Sequence, residues 1–444
     1  MSEKKDKVLS PAELRQSMRA DEPSSPGSIP FKSDVLNLLT GGIQCSFITE
    51  ISGNPSMFKS TVACEVVGNT LQLGGHAIIF DKERKMTESR FLTLGINNAN
   101  KENDHFWYFK DIVPASNVDD IINIERMFED CTRIHKSIRT EDLHKVRDKF
   151  LEGKATKKEI EFYGAKLDCG DQWQTRKEKE SQCSAIAGKE GKNFASPSQL
   201  RDEDKSLILI VVDSTTSVPS REEAFDSKTG LPNTSPQPAL QARSWSNQLR
   251  NCLFMDSRVA MLQLAQIRTA GIMGGPSSRP YKRAAVTSSQ EFYNTVRLQI
   301  YPGGQGSVLY RDPKSGGILK ADKLVATSDR LYQLGNIVSC SIKKNIDSMK
   351  MDVPMFMLGA TGTDPVNSLW EFFHQRGFVK HTSGGWWQLT GEFHSCWPEN
   401  FKIESWYNIY CEVGAELWKA LQKWKQEIIY GKQNDAQSAN PAFR

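Results

Sequence analysis

Gly53–Thr61 reads GNPSMFKST, and the reading of this stretch decides the fold. It fits the phosphate-loop pattern G-x-x-x-x-G-K-[ST] at every fixed position except one, since Phe58 stands where a glycine is expected. The flanks suit the motif. SFITEIS, 46–52, reads as a buried strand, and TVACEVVGNTLQLGG, 61–75, as a helix ending in glycine. Strand, tight loop and helix aim backbone N–H groups and a helix N-terminus at one point, which suits an anionic phosphate. Gly53, Asn54, Pro55, Ser56, Met57, Phe58, Lys59, Ser60 and Thr61 are therefore the expected phosphate cradle. Lys59 would reach the outer phosphates and the Ser60 hydroxyl would ligate a magnesium ion. The ordinary alternative is a Lys-Ser pair opening a helix. Phe58 is tolerable if its backbone has negative φ and its ring turns away from the phosphates.

A chain of 444 residues suggests two or three domains and a sizeable core. No run of 18 or more apolar residues occurs, so no membrane span is expected. The charged start, MSEKKDKVLSPAELRQSM, lacks an apolar signal core, and export is not indicated. Nine cysteines lie scattered without a C-x-x-C pair, which argues against zinc ribbons and disulfide frameworks and for reduced cytosolic thiols. A net charge of +4 permits nucleic-acid binding only if basic residues are concentrated somewhere.

Residues 1–33 read as a polar arm and linker, suited to docking on another subunit or to a frayed terminus. DVLNLLTGGIQC, 34–45, predicts a short helix stopped by Gly41 and Gly42. HAIIFDKE, 76–83, is a second strand with acids at its C-terminal end, the edge that faces the ligand crevice in open α/β sheets. HFWYFKD gives a third strand. A helix follows behind a Ser116…Asp119 capping pair. From about 135 to 204 the chain turns highly charged: two charged helices and then an aperiodic stretch, read as a solvated insertion or as a partner- or DNA-contacting surface. SLILIVVDST, 206–215, restores the core with a strand buried on both faces and tipped by Asp213, a position from which a carboxylate can hold magnesium. VAMLQLAQIR, 259–268, is another buried strand, and a polar, basic loop runs from Thr269 to Ser289. EFYNTVRLQIYP and YQLGNIVSCSIKKNI supply further strands. Aromatic-rich helices follow, one opened by Asp364-Pro365 and closed by Gly377.

In this order the parts resemble the RecA family of DNA recombinases over about 29–430, with 135–204 outside the match. FKS in place of GKS is similar to the UvsX-type recombinases of tailed phages. The resemblance implies that Glu83, at the end of FDKE, orients and deprotonates the attacking water, the ordinary alternative being a surface acid. It implies that Arg90 packs near the nucleobase and that VVDST holds magnesium through Asp213. LAQIR resembles the family's NQIR segment, giving Gln266 the role of a γ-phosphate switch, with Ala265 replacing the usual asparagine. The basic loop is implied to bind DNA through Arg268, Ile272, Met273, Arg279, Lys282 and Arg283, although Val286 and Thr287 replace the family's paired glycines. SIKKNI resembles the KNK segment, implying that Lys343 and Lys344 reach a neighbour's γ-phosphate; Asn345 stands in the second lysine's place.

The expected fold is α/β: a RecA-type P-loop ATPase core with a mostly parallel twisted sheet flanked by helices over 34–352, an N-terminal arm (1–33), a small C-terminal helical domain (353–430) and a polar tail (431–444). The expected function is an ATP- and Mg²⁺-dependent recombinase that forms a helical filament on single-stranded DNA and pairs it with homologous duplex. Its implied partners are single- and double-stranded DNA, further copies of itself, and single-strand-binding and mediator proteins, in the cytoplasm of a phage-infected bacterium. The alternatives are a hexameric RecA-fold helicase and a non-hydrolysing recombination mediator paralogue. Phe58, Ala265 and Asn345 are the arguments for the paralogue.

Overall fold

The computed structural model describes residues 27–94, 96, 105–111, 120–164, 197–224, 238–250, 256–270, 281–284, 293–303, 307–311, 318–320, 333–346, 350–359 and 361–431. In chain order the strands are β1 (Ser28–Ile29), β2 (Ile43–Gln44), β3 (Ile48–Gly53), β4 (His76–Asp81), β5 (Phe106–Phe109), β6 (Ile208–Asp213), β7 (Val259–Ala270), β8 (Tyr281–Ala284), β9 (Asn294–Pro302), β10 (Val308–Arg311), β11 (Ile318–Lys320), β12 (Gln333–Lys344), β13 (Asp352–Leu358), β14 (Gly362–Asp364), β15 (Val379–His381), β16 (Trp386–Leu389) and β17 (Phe401–Lys402). The helices are α1 (Asp34–Thr40), α2 (Lys59–Gln72), α3 (Glu88–Thr93), α4 (Ile124–Leu151), α5 (Lys157–Gly164), α6 (Arg221–Ala224), α7 (Pro238–Arg250), α8 (Pro365–Arg376) and α9 (Trp406–Gln426).

The apolar run ILIVVD of β6 shows why the sheet lies inside. Ile208, Ile210 and Val212 enter one hydrophobic cluster while Leu209 and Val211 enter another, as the period of two along a strand requires. Ala77, Ile78, Ile79 and Phe80 of β4 alternate the same way. Each fully buried Val, Leu, Ile or Phe side chain among these contributes about 1.5–3 kcal/mol. Helices cover both faces. Val62 and Val66 of α2, Leu39 of α1, Phe372 of α8 and Leu417 of α9 join the first cluster. Met127, Phe128 and Ile134 of α4 and Trp245 of α7 join the second.

A 12-stranded sheet results, in the order β11-β10-β12-β9-β3-β7-β6-β4-β5, with β13 and β14 continuing from β12 and β8 pairing with β7. From β9 to β5 every neighbouring pair is parallel. Beyond β9 the pairing is antiparallel. This is the expected α/β architecture, a parallel core flanked by helices, with an antiparallel extension. β13 and β14, from the segment expected to open the C-terminal domain, belong to this sheet.

Local signals explain several element ends. Ser33 caps α1 by accepting from the Leu36 amide, and Gly41 ends it in the left-handed conformation (φ 73°). Asp364 caps α8 with Pro365 behind it, and Gly377 (φ 73°) closes it. The Ser116…Asp119 capping pair lies outside the described residues; Asn123 is the N-cap of α4 instead. α4 runs on through His135, the expected start of a solvated insertion. That expectation is corrected for the described part: Ile138, Val146, Phe150, Ile160 and Tyr163 are buried, because the charged stretch still carries apolar residues at helical spacing. Of the aperiodic stretch 169–199, residues 169–196 lie outside the described residues, and Pro197–Gln199 form a single 3-10 turn.

The C-terminal elements pack onto the core. Tyr410 of α9 donates to Asp34 Oδ2 of α1 (2.7 Å), and the Trp406 indole donates to the Val366 carbonyl of α8 (3.0 Å). The small sheet β15-β16-β17 carries Trp387, whose ring meets Trp370 edge-on at 5.2 Å. Among the described residues no helix is long and apolar enough to cross a membrane.

Candidate functional site

The parallel core brings the sequence-distant candidates together at the carboxyl ends of adjacent strands. In register, Gly53 of β3 lies opposite Gln266 of β7, Leu264 of β7 opposite Asp213 of β6, and Asp213 opposite Asp81 of β4. Such an edge is where ligands enter open α/β sheets.

At this edge β3 passes into the loop and α2. A side chain at Gly53 would bring a Cβ to 2.9 Å from the Ile300 carbonyl of β9, so the loop's first position admits only glycine. Ser56 and Phe58 both adopt left-handed backbone, at φ 63° and 57°. The expectation of negative φ at Phe58 is therefore corrected: the turn uses the conformation that glycine favours. The ring packs partly buried against the first hydrophobic cluster, with Met57 beside it. Phe58, at the N-cap of α2, makes no side-chain capping bond, and the opening amides of the helix lack intrahelical acceptors.

Lys59 is buried and curls back, donating to the Gly53 (3.0 Å) and Asn54 (2.8 Å) carbonyls. Burial first, and then the nearby Lys85 ammonium, hold its pKa below the usual lysine value against Asp213 and Glu83. The Ser60 hydroxyl donates to Asp213 Oδ2 at 2.6 Å. Burial pushes the Asp213 carboxyl up to about 6, helped by Glu83 and Asp81 and opposed by the Ser60 bond.

Glu83 stands beside them. The Lys82 amide donates to the Asp213 carbonyl (2.7 Å), which hangs the turn after β4 on the end of β6. Glu83 Oε1 accepts from the Gln266 amide at 2.6 Å, so two residues proposed from separate motifs are in direct contact. Lys85 forms an ion pair with Glu83 Oε2. Burial raises the Glu83 carboxyl, but donors from Lys85, Ser214 and Gln266 together hold it below the usual carboxylate value.

Arg90, on α3, donates to the Thr61 hydroxyl of α2, and so lies against the helix that follows the loop. Lys343 and Lys344 sit elsewhere. β12 runs antiparallel to β9, and Lys344 pairs with Arg297 while Gly53 pairs with Ile300. Both lysines are exposed near the amino ends of the parallel strands, the edge opposite the loop. The Lys344 ammonium donates to the Asn294 carbonyl (2.6 Å), and that of Lys343 lies 5.0 Å from the Tyr301 ring centroid. Arg268, Lys282 and Arg283 fall on a two-stranded ribbon, where Arg268 pairs with Arg283 and Thr269 with Lys282. The expected loop from Thr269 is thus partly strand, because β7 continues through Ala270 and pairs with β8. Ile272, Met273 and Arg279 lie outside the described residues.

Sequence reasoning missed Lys85, Asp81 and Ser214. The Asp81 carboxylate accepts the amides of Lys85 (3.2 Å) and Met86 (2.8 Å) and the Tyr108 hydroxyl (2.8 Å), and so shapes the Glu83 turn. The KERK run after FD was the available signal for Lys85. No family model and no curated protein matches this chain.

The donor set fits a magnesium-bound polyphosphate. A lysine inside a tight loop and uncapped helix amides suit phosphate oxygens, and a hydroxyl–carboxylate pair suits a hard cation through oxygen and water.

Proposed function

We propose that the chain is an ATP-dependent DNA recombinase of the RecA type, active as a helical filament on single-stranded DNA. The observation that carries the reading is the hydrogen bond between Gln266 and Glu83. It joins the residue suited to activate water to the strand that, from the next residue on, pairs in the basic β7–β8 ribbon.

Gly53 to Thr61 would hold the phosphates of ATP, with Lys59 exchanging its loop carbonyls for phosphate oxygens. Ser60 and Asp213 would hold the magnesium ion, which when bound withdraws charge from the phosphate oxygens and the leaving group. Glu83, bonded at Oε1 to Gln266 and paired at Oε2 with Lys85, would orient a water and take its proton once Lys85 releases it. Gln266, bonded to Glu83, is suited to report a change there to Arg268 and the ribbon. The register sets Arg268 opposite Arg283, two basic positions on one ribbon that suit an anionic strand. Lys343 and Lys344, remote from their own loop, are available to a neighbouring copy's site, as the filament reading requires.

One feature favours the non-hydrolysing alternative: Lys85 occupies an oxygen of the would-be base. Electron microscopy of the protein with ATP and single-stranded DNA tests the proposal. Regular helical filaments that need both ligands are expected. Closed hexamers, or no assembly, would overturn it.

A further inference from the structure

The turn after β4 carries more order than a connection needs. Its alternate residues part company. Lys82 reaches Asp111 Oδ2 at 2.5 Å and Arg84 the Asp111 carbonyl at 2.6 Å, whereas Glu83 and Lys85 meet each other on the nucleotide side. Arg84 holds left-handed backbone, φ 54°, a conformation that disfavours a side-chain-bearing residue. The Asp81 carboxylate clamps the backbone at Lys85 and Met86 from beneath. The backbone is fixed, while the Lys85 side chain stays 45% exposed and Glu83 only 12%.

This arrangement creates a conflict. Both oxygens of Glu83 are engaged, one by a neutral amide and one by an ammonium. A carboxylate paired with an ammonium is a poor base, because proton uptake would cost it the ion pair. Gln266, the other partner of Glu83, lies opposite Gly53 in register, so the Glu83–Lys85 pair stands beside the loop. An arriving polyphosphate is the strongest competitor for it: a lysine beside several phosphate oxygens makes charge-assisted bonds that one carboxylate cannot match.

We infer that Lys85 is a second cation of the nucleotide site supplied by the same chain: its ammonium restrains Glu83 until a triphosphate enters, then moves to the terminal phosphate and leaves Glu83 free to engage water. The inference rests on the nucleotide reading above. It makes the site selective for the triphosphate over the diphosphate, since only the former carries the phosphate that Lys85 would meet. An isolated exposed ion pair would give no such selectivity.

The test is equilibrium binding, with hydrolysis excluded. Affinities for an imido-bridged, non-hydrolysable ATP analogue and for ADP, each with magnesium, are measured by calorimetry on wild type, Lys59→Ala, Lys85→Met and Lys85→Arg, with melting curves to verify folding. Lys85→Met should lose about 10-fold or more in affinity for the triphosphate, the scale of one charge-assisted hydrogen bond, and keep its affinity for ADP. Lys85→Arg should retain the preference; should the Met variant not fold, Lys85→Gln replaces it. An unchanged triphosphate preference in Lys85→Met, with wild-type binding abolished by Lys59→Ala, would overturn the role of Lys85 alone. Wild-type protein that bound neither nucleotide would overturn the nucleotide reading along with it.

Discussion

Replacing Asp213 with Asn should stabilise the protein in magnesium-free solution while removing its response to magnesium and nucleotide. Asp213 is 2% exposed, and burial raises its pKa from 3.8 to about 6. An acid whose pKa is raised in the fold binds its proton more tightly folded than unfolded, so ionising it opposes folding. The penalty is absent below about pH 4, grows between 4 and 6, and is complete above 6. The gap corresponds to roughly 3 kcal/mol at about 1.4 kcal/mol per pH unit. Asn removes the charge and keeps an acceptor for the Ser60 hydroxyl, now 2.6 Å from Oδ2. Thermal unfolding followed by circular dichroism, in EDTA from pH 5 to pH 8, reads the difference. The Asn variant should be more stable by about 3 kcal/mol at pH 8 and by about half that at pH 5. With magnesium and ATP the order should reverse, because only wild type gains from the ligand. An Asn variant that is less stable in EDTA at pH 8, or a gap that does not change with pH, would refute the electrostatic argument.

Phe58→Gly should be more stable than Phe58→Ala by about 1 kcal/mol, since both lose the ring but only glycine relaxes the left-handed backbone; equal stability in chemical denaturation would contradict the strained turn. Neutralising Arg279, Lys282 and Arg283 should weaken binding to single-stranded DNA and reduce its log–log salt slope by about 2, at about 0.7 per phosphate contact. An unchanged slope in fluorescence titrations would remove these residues from the interface. A Lys343→Ala, Lys344→Ala variant should lose DNA-stimulated hydrolysis and regain part of it when mixed with Glu83→Gln. Absence of rescue in co-assembled mixtures would show that neither lysine serves a neighbour.

The core strands were legible because burial on both faces leaves an unbroken apolar run, as in ILIVVD, and the ends of α1 and α8 because Ser33, Gly41, Asp364 and Gly377 act locally. Lys59, Ser60 and Asp213 were legible because the motif ties residue type to position. Others were not. Arg139 and Asp142 look like surface charges in RTEDLHK, yet both are 2% exposed, and Arg139 also pairs with Asp256 Oδ2 at 2.8 Å. A charge buried through a partner more than a hundred residues away leaves no local trace. The left-handed backbone at Phe58 was hidden because its ring can pack on the core and so offset the strain. Lys85 escaped notice because its meaning lies in a turn folded around Asp81, which depends on Tyr108 and on the arrival of β5 alongside β4.

The rate of phosphate release from magnesium-ATP, with and without single-stranded DNA, tests the central claim most directly. Wild type should turn over faster with DNA, and Glu83→Gln should bind ATP yet hydrolyse it at least about 100-fold more slowly, the scale expected for losing a positioned base. No release from wild type under either condition, or an undiminished rate in Glu83→Gln, would contradict it.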